Sequence, residues 1–156
     1  MADIKDSAKR SKNMSAIRSK NTKPELYIRK ELFSRGYRYR VAPAKIPGHP
    51  DIYLTKYNLA IFVHGCFWHR HPGCKYAYVP KSRVEFWEKK FSDNIRRDEK
   101  VKQLLHNSGI RTLIIWECAI KRAMSKNGDP EALFQRIENM IRSDVQYWEE
   151  TADACL

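Results

Sequence analysis

Three sulfurs and one imidazole stand at spacings that fit a closed metal site. Cys66, His71 and Cys74 fall within a nine-residue window, and Cys118 follows the apolar run Leu113-Ile114-Ile115-Trp116. Zinc takes four soft or borderline ligands in a tetrahedron, and structural sites often combine three thiolates with one imidazole. Pro72-Gly73, between two of these ligands, supplies the tight turn that a chelating loop needs. Ordinary cysteines beside a solvent-facing histidine would explain a pair more easily than a matched set of four. Zn²⁺ is therefore expected at Cys66, His71, Cys74 and Cys118, with Cys155 as the spare thiol. A catalytic zinc is disfavoured, because three thiolates leave a poor Lewis acid with no open position. Zinc deaminases are excluded too: they place a Glu two residues after the first His, where Cys66 stands here.

A second chemistry shares the same stretch. Asp51 follows Pro50 at a loop mouth, and His64 ends the next apolar run. A hard Mg²⁺ ion takes oxygen ligands and keeps several waters, so one or two carboxylates and a substrate phosphate suffice. His69 can accept a proton near neutral pH. Each residue also has a duller reading: Asp51 fastening its loop, Glu25 completing a capping box, His69 orienting a zinc ligand. The convergence of Asp51, His64 and His69 on one sheet end favours chemistry. Phe67 and Trp68 stand between the zinc ligands, and adjacent side chains point different ways. At least one is expected at the surface, where an aromatic can wedge between base pairs.

The elements that must position these groups follow from periodicity and caps. Thr22-Lys23-Pro24-Glu25 starts a helix, with Leu26, Arg29 and Phe33 on one face, Ile28 and Leu32 beside it, and Gly36 as the stop. Residues 37–41 alternate and predict a half-buried strand. Asp51-Ile52-Tyr53-Leu54 and Leu59-Ala60-Ile61-Phe62-Val63 predict two strands joined by a turn, the second central and covered on both faces. After the Cys/His loop, Ser82 and Glu85 cap a long helix whose stripe runs through Val84, Trp87, Phe91 and Ile95, then Val101, Leu104 and Leu105, ending at Gly109. Leu113-Ile114-Ile115-Trp116 is a further strand, parallel to the second because a helix crosses between them. Asp129-Pro130 opens a last helix with Leu133, Ile137 and Ile141 buried. The tail after Ser143 carries no signal. The sum is an α/β domain, three layers around a small mixed sheet.

Composition narrows the partners. The 156 residues suit one domain, and a formal net charge of +12 favours phosphates over neutral partners. No apolar run approaches the roughly 20 residues that span a bilayer, and Met1-Ala2-Asp3-Ile4-Lys5 opens no secretory signal. A reducing cytoplasm is expected, with no membrane partner. Residues 1–21 are polar and basic and read as an arm that orders on a partner; residues 22–156 form the domain.

Taken in order, Arg10-Ser11-Lys12-Asn13-Met14, Thr22-x-x-Glu25, Pro47-Gly48-x-Pro50-Asp51, His64-Gly65-Cys66-Phe67-Trp68-His69-x-His71, Cys74, Glu85-Phe86-Trp87 and Trp116-Glu117-Cys118 form one pattern. It resembles the very short patch repair DNA mismatch endonucleases over residues from about 10 to 120, and the run at His64 is the most specific part. The resemblance implies a restriction-endonuclease-like fold and nicking of one strand beside a T:G mismatch left by 5-methylcytosine deamination. It implies Asp51 and the Val63 carbonyl as Mg²⁺ ligands, His69 as general base, and Glu25 and His64 as holders of metal-bound waters. Cys66, His71, Cys74 and Cys118 would hold Zn²⁺. Phe67, Trp68 and Trp87 would form the wedge from the major groove and Met14 from the minor groove, with Lys90 and Asn94 meeting the mismatched pair. Double-stranded DNA is then the partner, mismatch-repair proteins are possible helpers, and single-strand nicking suits a monomer. Two departures stand out. Phe62-Val63-His64 replaces the Glu-x-Lys of the wider restriction-enzyme group, and His71-Pro72-Gly73-Cys74 is one residue longer than in the best-known members. A zinc-dependent DNA-binding module without catalysis, and a nuclease of the same fold without mismatch preference, are the alternatives.

Overall fold

The computed structural model describes residues 21–152. The basic arm, with Met14, therefore lies outside the described residues apart from Asn21, as does Cys155.

Helix α1, Lys23–Ser34, begins where Thr22 Oγ1 accepts the Glu25 N–H at 3.4 Å. The Glu25 carboxylate reaches past the cap to the Asn21 N–H, at 2.8 Å. Its buried face is Glu25, Ile28, Arg29 and Leu32, not the face expected through Leu26 and Phe33, which are 47% and 55% exposed. A buried ion pair, Arg29 to Glu25 at 3.3 Å, shares that face with the apolar pair and so hid it from an apolar pattern. Residues 37–41 give a single antiparallel bridge, Arg40 to Tyr53, in place of the expected strand. Ala42, at φ 45°, turns the chain away, while Tyr37 is buried and donates to Glu138 at 2.9 Å.

Strand β1, Ile52–Leu54, leads through a single 3₁₀ turn, Thr55–Tyr57, to Asn58, whose left-handed φ of 49° reverses the chain. Strand β2, Leu59–His64, then runs antiparallel to β1 with Ile52 opposite Ile61. Helix α2, Val84–Asn107, carries the chain back to β3, Arg111–Trp116, which lies parallel to β2 with His64 opposite Trp116. Helix α2 starts after Ser82, with Arg83 in the N-cap position at φ 53°. Its expected stripe fails at Val84, Ile95 and Leu104, all exposed; the buried residues are Phe91, Asn94 and Leu105. Helix α3, Glu117–Met124, follows β3 directly, and α4, Pro130–Arg142, starts where Asp129 accepts the Ala132 N–H at 3.1 Å.

The tail read as empty supplies strand β4, Tyr147–Glu150, parallel to β3, giving the sheet order β1-β2-β3-β4. Its residues do not alternate in hydropathy, which is why no strand was expected. One sheet face, through Ile61, Val63, Leu113 and Ile115, packs against α1, α3 and α4. The other, through Ala60, Phe62, Ile114 and Trp116, packs against α2 and the Cys/His loop. Period-two geometry thus aims His64 and Trp116 toward α2. Among the described residues, no helix is long and apolar enough to cross a membrane.

Candidate functional site

Parallel strands β2 and β3 end side by side, so the loops leaving them meet at one sheet end. The chain leaves β2 into the Cys/His loop and leaves β3 into α3, which brings Cys118 to the loop. The ligand atoms of Cys66, His71, Cys74 and Cys118 all lie within 4.8 Å of one another, and all four residues are buried. His71 Nδ1 is 3.7 Å from Cys66 Sγ and 3.5 Å from Cys118 Sγ. A tetrahedron with bonds of about 2.3 Å has edges of roughly 3.8 Å, so the two edges from His71 to Cys66 and Cys118 match those around a tetrahedral ion. A hydrogen bond from Cys66, assisted by the Ala152 N–H and the Thr151 hydroxyl, holds the Cys118 thiol well below the usual range. The same bond and burial push Cys66 up.

The loop is shaped by its own backbone. Gly73 at φ 71° completes the turn between His71 and Cys74, whose N–H donates to the His71 carbonyl at 3.3 Å. The Arg70 guanidinium donates to the carbonyls of Phe67, Tyr78 and Ala77 at 3.1, 3.1 and 2.8 Å, and lies 3.7 Å over the Phe91 ring. The Phe67 and Ala77 carbonyls are part-buried, so the guanidinium supplies donors where water reaches poorly.

Beside this cluster, the loop's other histidines face a cleft of about 1120 Å³ lined by Glu25, Asp51, His64, His69, Trp68 and Trp87, among others. The rings of His64 and His69 stack at 3.8 Å and 5°. His69 Nδ1 meets Asp98 Oδ2 at 2.6 Å, which leaves Nε2 as the atom for proton exchange. Burial, reinforced by His69, pushes the His64 imidazole well below its ordinary range and keeps it neutral. Asp51 Oδ2 accepts the Val63 N–H at 2.6 Å, and the Asp51 carbonyl accepts from Arg29 at 3.3 Å. Burial pushes the Asp51 carboxyl up to about 6 against the pull of the Val63 N–H, and nearby Glu25 pushes the same way.

Asp51, Glu25, Val63, His64 and His69 therefore line one cleft. Asp98 was missed by the sequence reading. Its signal was spacing: Phe91, Asn94, Asp98, Val101 and Leu105 follow one face of α2, with polar residues at its centre. Thr151 was also missed; its Oγ1 lies 3.2 Å from His71 Nε2.

The aromatics form one cluster around Phe67. Its ring centroid lies 5.0 Å from Trp68, 5.5 Å from Trp87 and 5.3 Å from Phe91. Phe67, Trp68 and Trp87 are each half-buried, so none is a plain core residue. Lys90 is exposed on the cleft wall. Asn94 is buried: its Nδ2 donates to the Trp68 carbonyl at 2.9 Å and its Oδ1 accepts from Arg97 at 2.9 Å. Asn94 thus fixes the backbone of Trp68 from below.

This arrangement has relatives. A family model described as DNA mismatch endonuclease Vsr matches residues 2–75. The chain is 44% identical over 141 residues to DNA mismatch endonuclease Vsr of Escherichia coli K12, covering 90% of this chain and 88% of that protein. It is 44% identical over 121 residues to the type II nicking enzyme V.NmeAIP of Neisseria meningitidis, 78% of this chain and 86% of the relative. Against the type II nicking enzyme V.XorIIP of Xanthomonas oryzae the figures are 40% over 128 residues, 82% and 88%. Likeness at that level across nearly the whole length, in a chain whose Cys/His loop, carboxylates and stacked histidines meet at one sheet end, has a single consequence: the chain belongs to the DNA mismatch endonuclease Vsr family.

Proposed function

We propose that this protein nicks one strand of duplex DNA beside a T:G mismatch arising from 5-methylcytosine deamination. The domain, residues 22–156, is of the restriction-endonuclease-like kind, and the basic arm, residues 1–21, grips the duplex with Met14 in the minor groove. It acts as a monomer on cytoplasmic DNA, with mismatch-repair proteins as helpers. The observation that carries the reading is the His69–Asp98 pair, at 2.6 Å, stacked on a neutral His64 in the cleft that holds Asp51.

Asp51 and the Val63 carbonyl would hold Mg²⁺, which supplies charge neutralisation at the scissile phosphate and a more acidic attacking water. Asp98 holds the His69 Nδ1–H, so Nε2 is free to take a proton from an attacking water. The flat stack on His64 fixes the plane of the His69 ring, and neutrality of His64 spares His69 a second cation at van der Waals distance. Glu25, held by Arg29, and His64 orient waters around Asp51. Cys66, His71, Cys74 and Cys118 would hold Zn²⁺ and so pin the loop carrying Phe67, Trp68 and His69. Phe67, Trp68 and Trp87 then enter the stack from the major groove, where a mismatch lowers the cost of unstacking. Lys90 faces the mismatched pair, and Asn94 serves that contact by holding Trp68.

Nicking of a T:G duplex and of a C:G duplex otherwise identical in sequence, in Mg²⁺ buffer, tests the reading. Nicking confined to T:G duplexes is expected. Equal cutting of both would show a nuclease without mismatch preference; binding without cutting would show a DNA-binding module.

A further inference from the structure

The geometry points to Thr151 as the positioning residue of the Cys66/His71/Cys74/Cys118 site: its hydroxyl joins the back of His71 to Cys118 and selects the ring orientation that presents Nδ1 to the metal. The inference rests on the proposal that this cluster holds an ion.

His71 Nδ1 faces two thiol sulfurs, at 3.7 Å from Cys66 and 3.5 Å from Cys118. A ligating nitrogen carries no proton, so the imidazole proton sits on Nε2. Nε2 lies 3.2 Å from Thr151 Oγ1, which therefore accepts that N–H. The same oxygen lies 3.7 Å from Cys118 Sγ. A hydroxyl has one donor and two acceptor positions, so Thr151 accepts from His71 and donates to the Cys118 sulfur at once. The relay runs from His71 to Cys118.

Another contact on the ring leaves its orientation undecided. His71 stacks on Trp116 at 4.2 Å and 10°, which fixes the ring plane. A half-turn flip keeps that stack while moving Nδ1 away from the sulfurs. The Thr151 bond breaks the symmetry, and His71 is only 5% exposed, so solvent is a poor substitute for it. Thr151 follows β4 immediately, and the backbone N–H of Ala152 also reaches Cys118. The exit of the edge strand is thus the lid of the site.

The test uses the full chain, stripped of metal and titrated with Co²⁺ and with Zn²⁺ against a chelator of known affinity. Thr151→Val should weaken Zn²⁺ binding about 10- to 100-fold, with a changed thiolate-to-Co²⁺ absorption, and Thr151→Ser should restore both to within about threefold. The metal-free thermal midpoint of Thr151→Ser and of wild type should coincide. Should Thr151→Val unfold the apo chain, Thr151→Ala replaces it, and the serine variant must still outbind it by about tenfold. Equal affinity of the serine and alanine variants, or wild-type affinity in Thr151→Val, overturns the inference. A wild-type chain that takes up neither ion fails one step earlier, on the metal reading itself.

Discussion

One loop serves two sites that differ in almost every physical respect. Cys66, His71 and Cys74 are buried and converge with Cys118 into a donor set with no face toward solvent. His69, from the same stretch, is half-buried and lines the cleft with Asp51 and the more deeply set His64. The first set suits an ion held once and kept; the second suits an exchangeable ion that shares its shell with substrate and water. On the proposed function, the stiff site stands next to the labile one so that the loop holds His69 against Asp98 while leaving the far side of the ring free. A closed cluster supplies rigidity that a loop with half-exposed aromatics cannot supply by packing.

Substitutions on each side should break different things. Cys118→Ser on the closed side should cost folding stability at least about 4 kcal/mol, read as a lowered thermal midpoint and loss of tightly held metal, because binding energy of a structural ion is folding energy. His69→Ala on the open side should leave that metal and the midpoint in place while slowing nicking about 100- to 10000-fold, the range of a positioned general base. Asp98→Asn should fall between His69→Ala and wild type, about tenfold down at saturating Mg²⁺, since it removes the orienting acceptor and keeps the imidazole. A Cys118→Ser chain that unfolds like wild type would erase the contrast.

A smaller effect concerns Asp51 and pH. Its carboxyl sits at about 6 in the fold against an ordinary 3.8. Between those values the folded chain holds a proton that the unfolded chain has released, so stability falls as pH rises through the window. Above it the buried charge is a standing cost; below about 4 the cost vanishes. In the metal-free protein, Asp51→Asn should therefore raise stability by on the order of 3 kcal/mol near pH 8 and by almost nothing near pH 3.5, measured by denaturant unfolding. A gain independent of pH would assign the effect to packing instead.

Much of this was legible in the residues. The caps at Thr22 and Asp129, the buried β2 and β3 and the grouping of Cys66, His71, Cys74 and Cys118 lie where type and spacing put them. The misreadings share a cause. On α1 the buried face includes Glu25 and Arg29, and on α2 it includes Asn94, with half-buried Asp98 along the same line. Each of these residues makes a polar contact at or beside the cleft, so an apolar stripe drifts off the true face where polar groups stand on it. β4 was invisible for a related reason: Trp148 and Glu149 are exposed on an edge strand whose side chains make polar contacts, such as Glu149 accepting from Trp116 at 2.6 Å. Asp98 and Thr151 act through partners distant in sequence, His69 and His71, and no local pattern joins them.

The most direct test of two sites with separate duties is Asp51→Ala, assayed for tightly held metal and for nicking of a T:G duplex in Mg²⁺. The variant should retain the tight ion and the fold of wild type while nicking falls at least about 1000-fold, roughly 4 kcal/mol of transition-state stabilisation. Nicking at the wild-type rate, or loss of the tight ion together with activity, would contradict the division.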